Sequence, residues 1–224
     1  MSKNHWNEIY KQEQQLSIYP WSNLVSVVKN FYDNKKSNAK VLEIGCGMGA
    51  NINFLLDCGF DYYGIDYSEY AISNLKKKFP KLKNNLFRID FTKEKFPSKK
   101  KFNLIIDRAS GCHCSTNEFK NFLELYKDNF ASNVTYVAID WFSKKCTDSK
   151  SGLKIDRFTR NNFKSGQFKN CGKVRFSNER HIKQELFGKW KCDFLRENIT
   201  IYKLKKLYKI CTYDFVMKKY KNII

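Results

Sequence analysis

No stretch of this chain approaches the ~20 consecutive apolar residues that a membrane-spanning helix needs. The opening, Met1-Ser2-Lys3-Asn4-His5-Trp6, carries no apolar signal region, so a cytoplasmic location is expected. The eight cysteines include no C-x-x-C pair. Without a leader they read as free, mostly buried thiols and not as a disulfide framework. Cys112-His113-Cys114 lacks structural-zinc spacing and has no second ligand cluster, so no metal is expected. Arginine is scarce, at seven of the 42 basic residues. Arg is the residue suited to planar phosphate recognition, so a formal charge of +20 is not by itself the footprint of a nucleic-acid site. An AT-rich genome produces the same lysine and asparagine excess. No separate RNA-binding module and no internal repeat occur. Nucleic acid stays open as a partner, behind a small molecule.

With 224 residues, 42% of them hydrophobic, the chain suits one globular domain spanning 1–224. Its middle alternates strand-like and helix-like patterns. Residues 39–45 form an apolar strand that ends in glycine. Residues 51–58 read as a helix with Ile52, Leu55 and Leu56 on one face and Gly59 as its stop. Strands follow at 61–66, 86–90, 102–107 and 134–141. Ser68 is a cap for the helix carrying Ile72, Leu75 and Phe79. Ser115-Thr116-Asn117-Glu118 is a capping box for a helix burying Phe119, Phe122, Leu123 and Tyr126. Strands joined by helices of this length predict an α/β, doubly wound, mostly parallel sheet, with ligands at the carboxyl ends of the strands. Around this 39–142 core, residues 1–34 read as a helical cap. Leu24, Val25, Val27, Val28 and Phe31 give its second helix an apolar face. Residues 143–177 read as a polar lid. Residues 178–224 read as a helix and a hairpin turning at 203–208.

The chemistry gathers at strand ends. Gly45, Gly47 and Gly49 follow the first strand and open a helix, and glycine there lets backbone approach a ligand closely. A glycine loop alone also serves dinucleotides. Glu43, however, stands just before it, where a carboxylate would repel a pyrophosphate and attract an ammonium. Asp66 ends the second strand, where a carboxylate accepts from ribose hydroxyls. Its other reading is a helix cap. Asp90-Phe91 ends the third, offering an acceptor for an adenine amino group and an aromatic neighbour for its ring.

The run Glu43-Ile44-Gly45-Cys46-Gly47-Met48-Gly49 with Asp66 and Asp90 resembles the class I, Rossmann-like S-adenosylmethionine (SAM)-dependent methyltransferases. The resemblance implies a seven-stranded sheet with an antiparallel carboxyl-terminal hairpin and N-terminal helices covering the cofactor. It implies SAM as cofactor and S-adenosylhomocysteine as its product. It implies that Gly45, Cys46 and Gly47 wrap the methionine part, with Asn51 beside them. Asp66 and Tyr67 would hold the ribose, and Asp90 and Phe91 the adenine. Trp6-x-x-x-Tyr10 followed by Tyr19-Pro20-Trp21-Ser22 resembles the opening of small stand-alone bacterial methyltransferases of surface-glycan and sugar biosynthesis. There such aromatics close over the cofactor. The same spacing also fits a helix face packed on the sheet.

The acceptor side is read from Asp107-Arg108-Ala109-Ser110-Gly111-Cys112-His113-Cys114. Methyl transfer demands alignment and removal of a proton from the acceptor. His113 is the candidate base and a substrate contact, with a near-neutral ordinary pKa. It reads equally as a packing residue. Asp107 is expected to assist at the catalytic centre and beside the cofactor. Arg108 binds an acidic substrate group or pairs with Asp107. Trp141, Phe142, Phe158 and Phe163 are candidate walls, Trp141 equally a core residue. No N-P-P-Y or Pro-Cys motif points to nucleobase chemistry. The expected activity is methylation of a hydroxyl on a sugar or glycan precursor. Thiol, RNA or protein methylation, or a non-catalytic SAM-binding partner subunit, are the alternatives. The pattern sets no oligomeric state.

Overall fold

Alternation with period two decides which face each strand residue meets. In the run Leu104-Ile105-Ile106, Leu104 and Ile106 join one apolar cluster with Val41, Leu24, Val27, Ile52 and Leu75. Ile105 joins the opposite cluster with Leu42, Ile65, Phe119 and Phe122. A strand apolar on both faces must be covered on both, which is the condition for a parallel sheet between helical layers.

The computed structural model describes residues 5–12, 17–32, 39–203 and 207–220. Part of the expected 1–34 cap and the middle of the hairpin turn lie outside them. The strands are β1 (Lys40–Ile44), β2 (Asp61–Asp66), β3 (Leu86–Arg88), β4 (Phe102–Arg108) and β5 (Phe130–Phe142). After them come the short β6 (Leu153–Lys154), β7 (Thr159–Asn161) and β8 (Val174–Arg175), then the long β9 (Lys191–Lys203) and β10 (Leu207–Lys219). The main sheet has the order β3-β2-β1-β4-β5-β10-β9. β1 to β5 run parallel, and β10 returns antiparallel against β5 and β9. The order reverses between β1 and β4, so the crevice at their carboxyl ends is the switch point where ligands bind.

Helices α1 (His5–Lys11), α2 (Ser22–Phe31), α3 (Ile52–Asp57), α4 (Glu69–Lys78) and α5 (Thr116–Leu125) flank the sheet. Ser68 caps α4 by accepting from the Ala71 N–H, and Ser115 and Glu118 form the reciprocal capping box of α5. Leu56 differs from its expected place, with 36% of its surface exposed, because α3 turns only Ile52 and Leu55 inward. Val25, Phe31 and Leu123 are only partly buried. The expected lid segment carries structure of its own. β6, β7 and β8 form a three-stranded sheet, and Phe163, Phe168, Val174 and Phe176 pack into a small separate core with Cys146 and Cys211. The helix expected after it is one wide turn at His181–Leu186. Among the described residues no helix is long and apolar enough to cross a membrane.

Candidate active site

A cavity of about 1200 Å³ opens over the carboxyl ends of β1, β2, β4 and β5. Its first wall is the turn after β1. Gly45 has φ +64° and Gly47 φ +51°, a region that only glycine enters without strain. Close packing adds a second requirement. A Cβ on Gly45 would lie 2.0 Å from Ser110 Oγ, and one on Gly47 would lie 2.8 Å from the Tyr10 hydroxyl. The turn is thus held between the β4 loop and α1.

Three carboxylates line this side. Glu43 is buried at the end of β1 and accepts from Asn51 Nδ2 at 2.7 Å and from the Tyr62 hydroxyl at 2.6 Å. Burial pushes its carboxyl up to about 7 against those two bonds, with Asp66 adding to the rise. Asp66 accepts the Gly47 N–H at 2.8 Å on one oxygen and the Ser68 N–H at 2.7 Å on the other. Burial raises its pKa while these backbone donors oppose the rise. Each Asp66 oxygen keeps a further lone pair. Asp90 closes the turn after β3 by accepting from the Thr92 hydroxyl at 2.6 Å, and Phe91 meets Phe122 edge-on. Tyr67 and Cys46 also line the cavity, Tyr67 beneath the Arg88 guanidinium.

α1 crosses above. Asn7 Oδ1 accepts from the Ser68 hydroxyl at 2.6 Å and from the Tyr70 N–H, which anchors the helix to the start of α4. Tyr10 is buried over Gly47, and burial with the nearby Asp66 pushes its phenol well up. Trp6 packs edge-on against His113, with ring centroids 5.2 Å apart. His113 Nδ1 lies 3.2 Å from the Lys173 carbonyl. A carbonyl only accepts, so in the neutral ring Nδ1 carries the proton and Nε2 is the basic nitrogen.

Arg108 does not pair with Asp107. Its Nε donates to Asp140 at 3.1 Å, and its guanidinium lies 3.7 Å from the ring centre of Trp21. Asp107 and Trp141 do not line the cavity. Asp107 is fully buried, accepts from the N–H groups of Ser110 and Gly111 and from the Tyr136 hydroxyl, and so shapes the turn from behind. Trp141 is fully buried, donates to Ser177 Oγ at 2.8 Å and packs on Phe119 and Phe215. Phe158 stacks on the buried His181, and Phe163 sits in the small separate core. Of the candidate walls Phe142 lines the cavity, and Phe168 lines it as well.

Several residues here escaped the sequence reading. Asp140 stands two residues before the end of β5, near the same carboxyl edge as Asp66 and Asp90. Arg196 and Asp214 face each other across β9 and β10, a pairing that needs the hairpin register. Arg175 is fully buried and donates to the carbonyls of Gly111 at 2.6 Å and Ser115 at 2.9 Å, between the rings of Phe119 and Trp141. No spacing rule finds it.

A parallel sheet of this order with a reversed last strand defines the class I methyltransferase fold. Solved structures share it. A SAM-dependent methyltransferase from Methanosarcina mazei is 14% identical, with a TM-score of 0.67 over 92% of this chain and 99% of that one. An S-adenosylmethionine-dependent methyltransferase from Clostridium acetobutylicum is 15% identical, with a TM-score of 0.61 over 97% and 98%. The Burkholderia thailandensis 1,6-didemethyltoxoflavin-N1-methyltransferase, solved with its acceptor and S-adenosylhomocysteine, is 11% identical, with a TM-score of 0.56 over 97% and 84%. No curated protein matches this chain in sequence. The methyltransferase domain family matches over residues 18–213, and the chain belongs to that family. It is a methyltransferase whose methyl donor is S-adenosylmethionine.

Proposed function

We propose that the chain methylates a hydroxyl of a small, sugar-like acceptor or glycan precursor, with His113 as the general base. The observation that supports this reading is the single cavity lined together by Gly47, Glu43, Asp66, Asp90 and His113. Three carboxylates around a glycine turn suit a ligand carrying an ammonium and a sulfonium, and they disfavour a pyrophosphate. The two lone pairs left on Asp66 match the two hydroxyls of a ribose. Gly45, Cys46, Gly47 and Asn51 would border the methionine part, with Trp6 and Tyr10 above it. Tyr67, Asp90 and Phe91 would take the nucleoside end. Bound there, SAM supplies a methyl group on a positively charged sulfur, open to in-line displacement.

The chain's own residues do the rest. His113 Nε2 accepts the acceptor's hydroxyl proton, and the Lys173 carbonyl holds the ring in the tautomer that permits it. Trp6 and Phe142 pack edge-on against the ring and wall it. Asp107 acts one step removed, by fixing the turn that carries His113.

Calorimetry with S-adenosylhomocysteine tests the cofactor assignment, and its failure ends the reading. Turnover is then measured on a panel of sugars, sugar phosphates, small thiols and RNA. Methylation of a sugar hydroxyl supports the proposal. Methylation of thiols or RNA overturns the acceptor class. Cofactor binding without turnover favours a non-catalytic partner subunit. His113→Gln is expected to lower kcat about 100-fold or more.

A further inference from the structure

The end of the cavity away from the glycine turn is built from pieces far apart in the chain. Asp214 on β10 is fully buried and accepts from the Asp140 N–H at 3.0 Å, Arg196 Nη2 at 2.8 Å and Asn198 Nδ2 at 2.8 Å. Asp140 accepts from Arg108 Nε at 3.1 Å and from Asn23 Nδ2 at 3.2 Å. Both carboxylates are therefore already served by donors. The two guanidiniums are not used up. Among the described residues, Arg108 and Arg196 each donate one hydrogen bond, through one nitrogen. A guanidinium carries five N–H groups in a flat fork, so most of that capacity remains.

Composition sharpens the point. Lysine outnumbers arginine 35 to seven in this chain. Yet three of the seven arginines, Arg88, Arg108 and Arg196, line the cavity, against two lysines, Lys93 and Lys173. Where drift favours lysine, arginine persists at the positions that need its fork. The backbone invests in the same place. Asp140 is a non-glycine residue with φ +58°, at an irregularity in the pairing of β5 with β10. Side chains rarely adopt such a conformation without a local reason. Trp21 fixes the opposite face of Arg108 at 3.7 Å. Each guanidinium is held by one edge or face and presents the remainder.

We infer that Arg108 and Arg196 form a receptor for an acid group, a carboxylate or a phosphate, on the acceptor. The inference rests on the methyltransferase reading and narrows its substrate to an acidic molecule. The carboxylate of the cofactor's methionine part is the competing source of the same chemistry. Arg196 lies on the carboxyl-terminal hairpin with Asn198 and Thr212, whereas the glycine turn follows β1, so the acceptor is the source to which we commit.

The test follows the arginine Nε signals by NMR in protein saturated with S-adenosylhomocysteine, during titration with inorganic phosphate, acetate or glycerol. Expected are saturable shifts of Arg108 and Arg196 with an anion below about 20 mM, none with glycerol, and a preference that separates phosphate from carboxylate. Arg196→Gln is expected to weaken the anion at least tenfold while affinity for S-adenosylhomocysteine stays within about twofold, which also reports an intact fold. Arg196→Lys, with its charge but no fork, is expected to recover only part of the loss. No saturable shift overturns the inference. Shifts seen only without S-adenosylhomocysteine assign the arginines to the cofactor and overturn it too. Equal shifts at Arg157, whose side chain is 69% exposed, mean adventitious surface binding and overturn it as well. Absence of S-adenosylhomocysteine binding is a different failure, that of the methyltransferase reading itself.

Discussion

The two sides of the cavity are constructed differently. On the β1–β3 side the bonds that fix the three carboxylates reach no more than 19 residues along the chain: Asp66 by Gly47 and Ser68, Asp90 by Thr92, Glu43 by Asn51 and Tyr62. On the β4–β5 side the bonds span the chain. Asn23 reaches Asp140, Arg175 reaches Gly111, and Lys173 reaches His113. A site built locally can bind the same ligand on many chains. One built from remote segments changes whenever a lid or a hairpin changes, so it is where specificity among methyltransferases is free to vary.

The strongest test of this separation removes Arg175. Arg175→Met keeps the volume between Phe119 and Trp141 but leaves the carbonyls of Gly111 and Ser115 buried without that donor. A loss of about 3 kcal/mol is expected, a Tm drop on the order of 10 °C for a chain of this size. Affinity for S-adenosylhomocysteine, measured well below Tm, should fall less than about threefold. An equal loss on both sides would show that the cavity is one cooperative unit and break the comparison.

Asp66→Ala is the converse. It removes acceptors that serve two backbone N–H groups and, in the proposed function, two ribose hydroxyls. Affinity for S-adenosylhomocysteine should fall on the order of 100-fold, about 2–3 kcal/mol. The anion-induced shifts at Arg108 and Arg196 should persist if the acceptor side stands alone.

The same contrast explains what a single sequence discloses. Glu43, Asp66 and Asp90 were legible because each lies at or within two residues of a strand's carboxyl end. The sheet was legible through period-two alternation and the capping residues Ser68 and Ser115. Trp141 misled for a physical reason. Strict alternation would place it with Val137 and Ile139 against α2, but the left-handed backbone at Asp140 shifts the parity. Trp141 therefore faces α5 with Tyr136 and Ala138. Asp107 misled because a strand-end acid can turn inward to brace its own loop as readily as outward to a ligand. Arg196 and Asp214 gave no signal, since their partners depend on tertiary register.

The smallest expected effect concerns Glu43 and tests whether its carboxylate meets a cation. Burial holds its pKa near 7, so near neutral pH the empty site carries a mixture of carboxyl and carboxylate. A ligand ammonium favours the charged form and pulls the pKa down. Binding must then release up to one proton per site, and affinity must rise with pH from about 6 to 8, levelling off once Glu43 is ionised before the ligand arrives. The change is at most about tenfold. For folding the sign is opposite. The raised pKa makes the native state bind more protons than the unfolded chain, so Glu43 costs stability as pH rises from about 4.5 through about 7. Calorimetry in two buffers of different ionisation enthalpy separates proton release from the heat of binding. Glu43→Gln should abolish the proton release. Unchanged release in that variant would move the titrating group to Asp66, whose pKa is also raised by burial, still within the locally built side. Release that vanished instead with Arg108→Gln would tie cofactor protonation to the remote network and join the two sides.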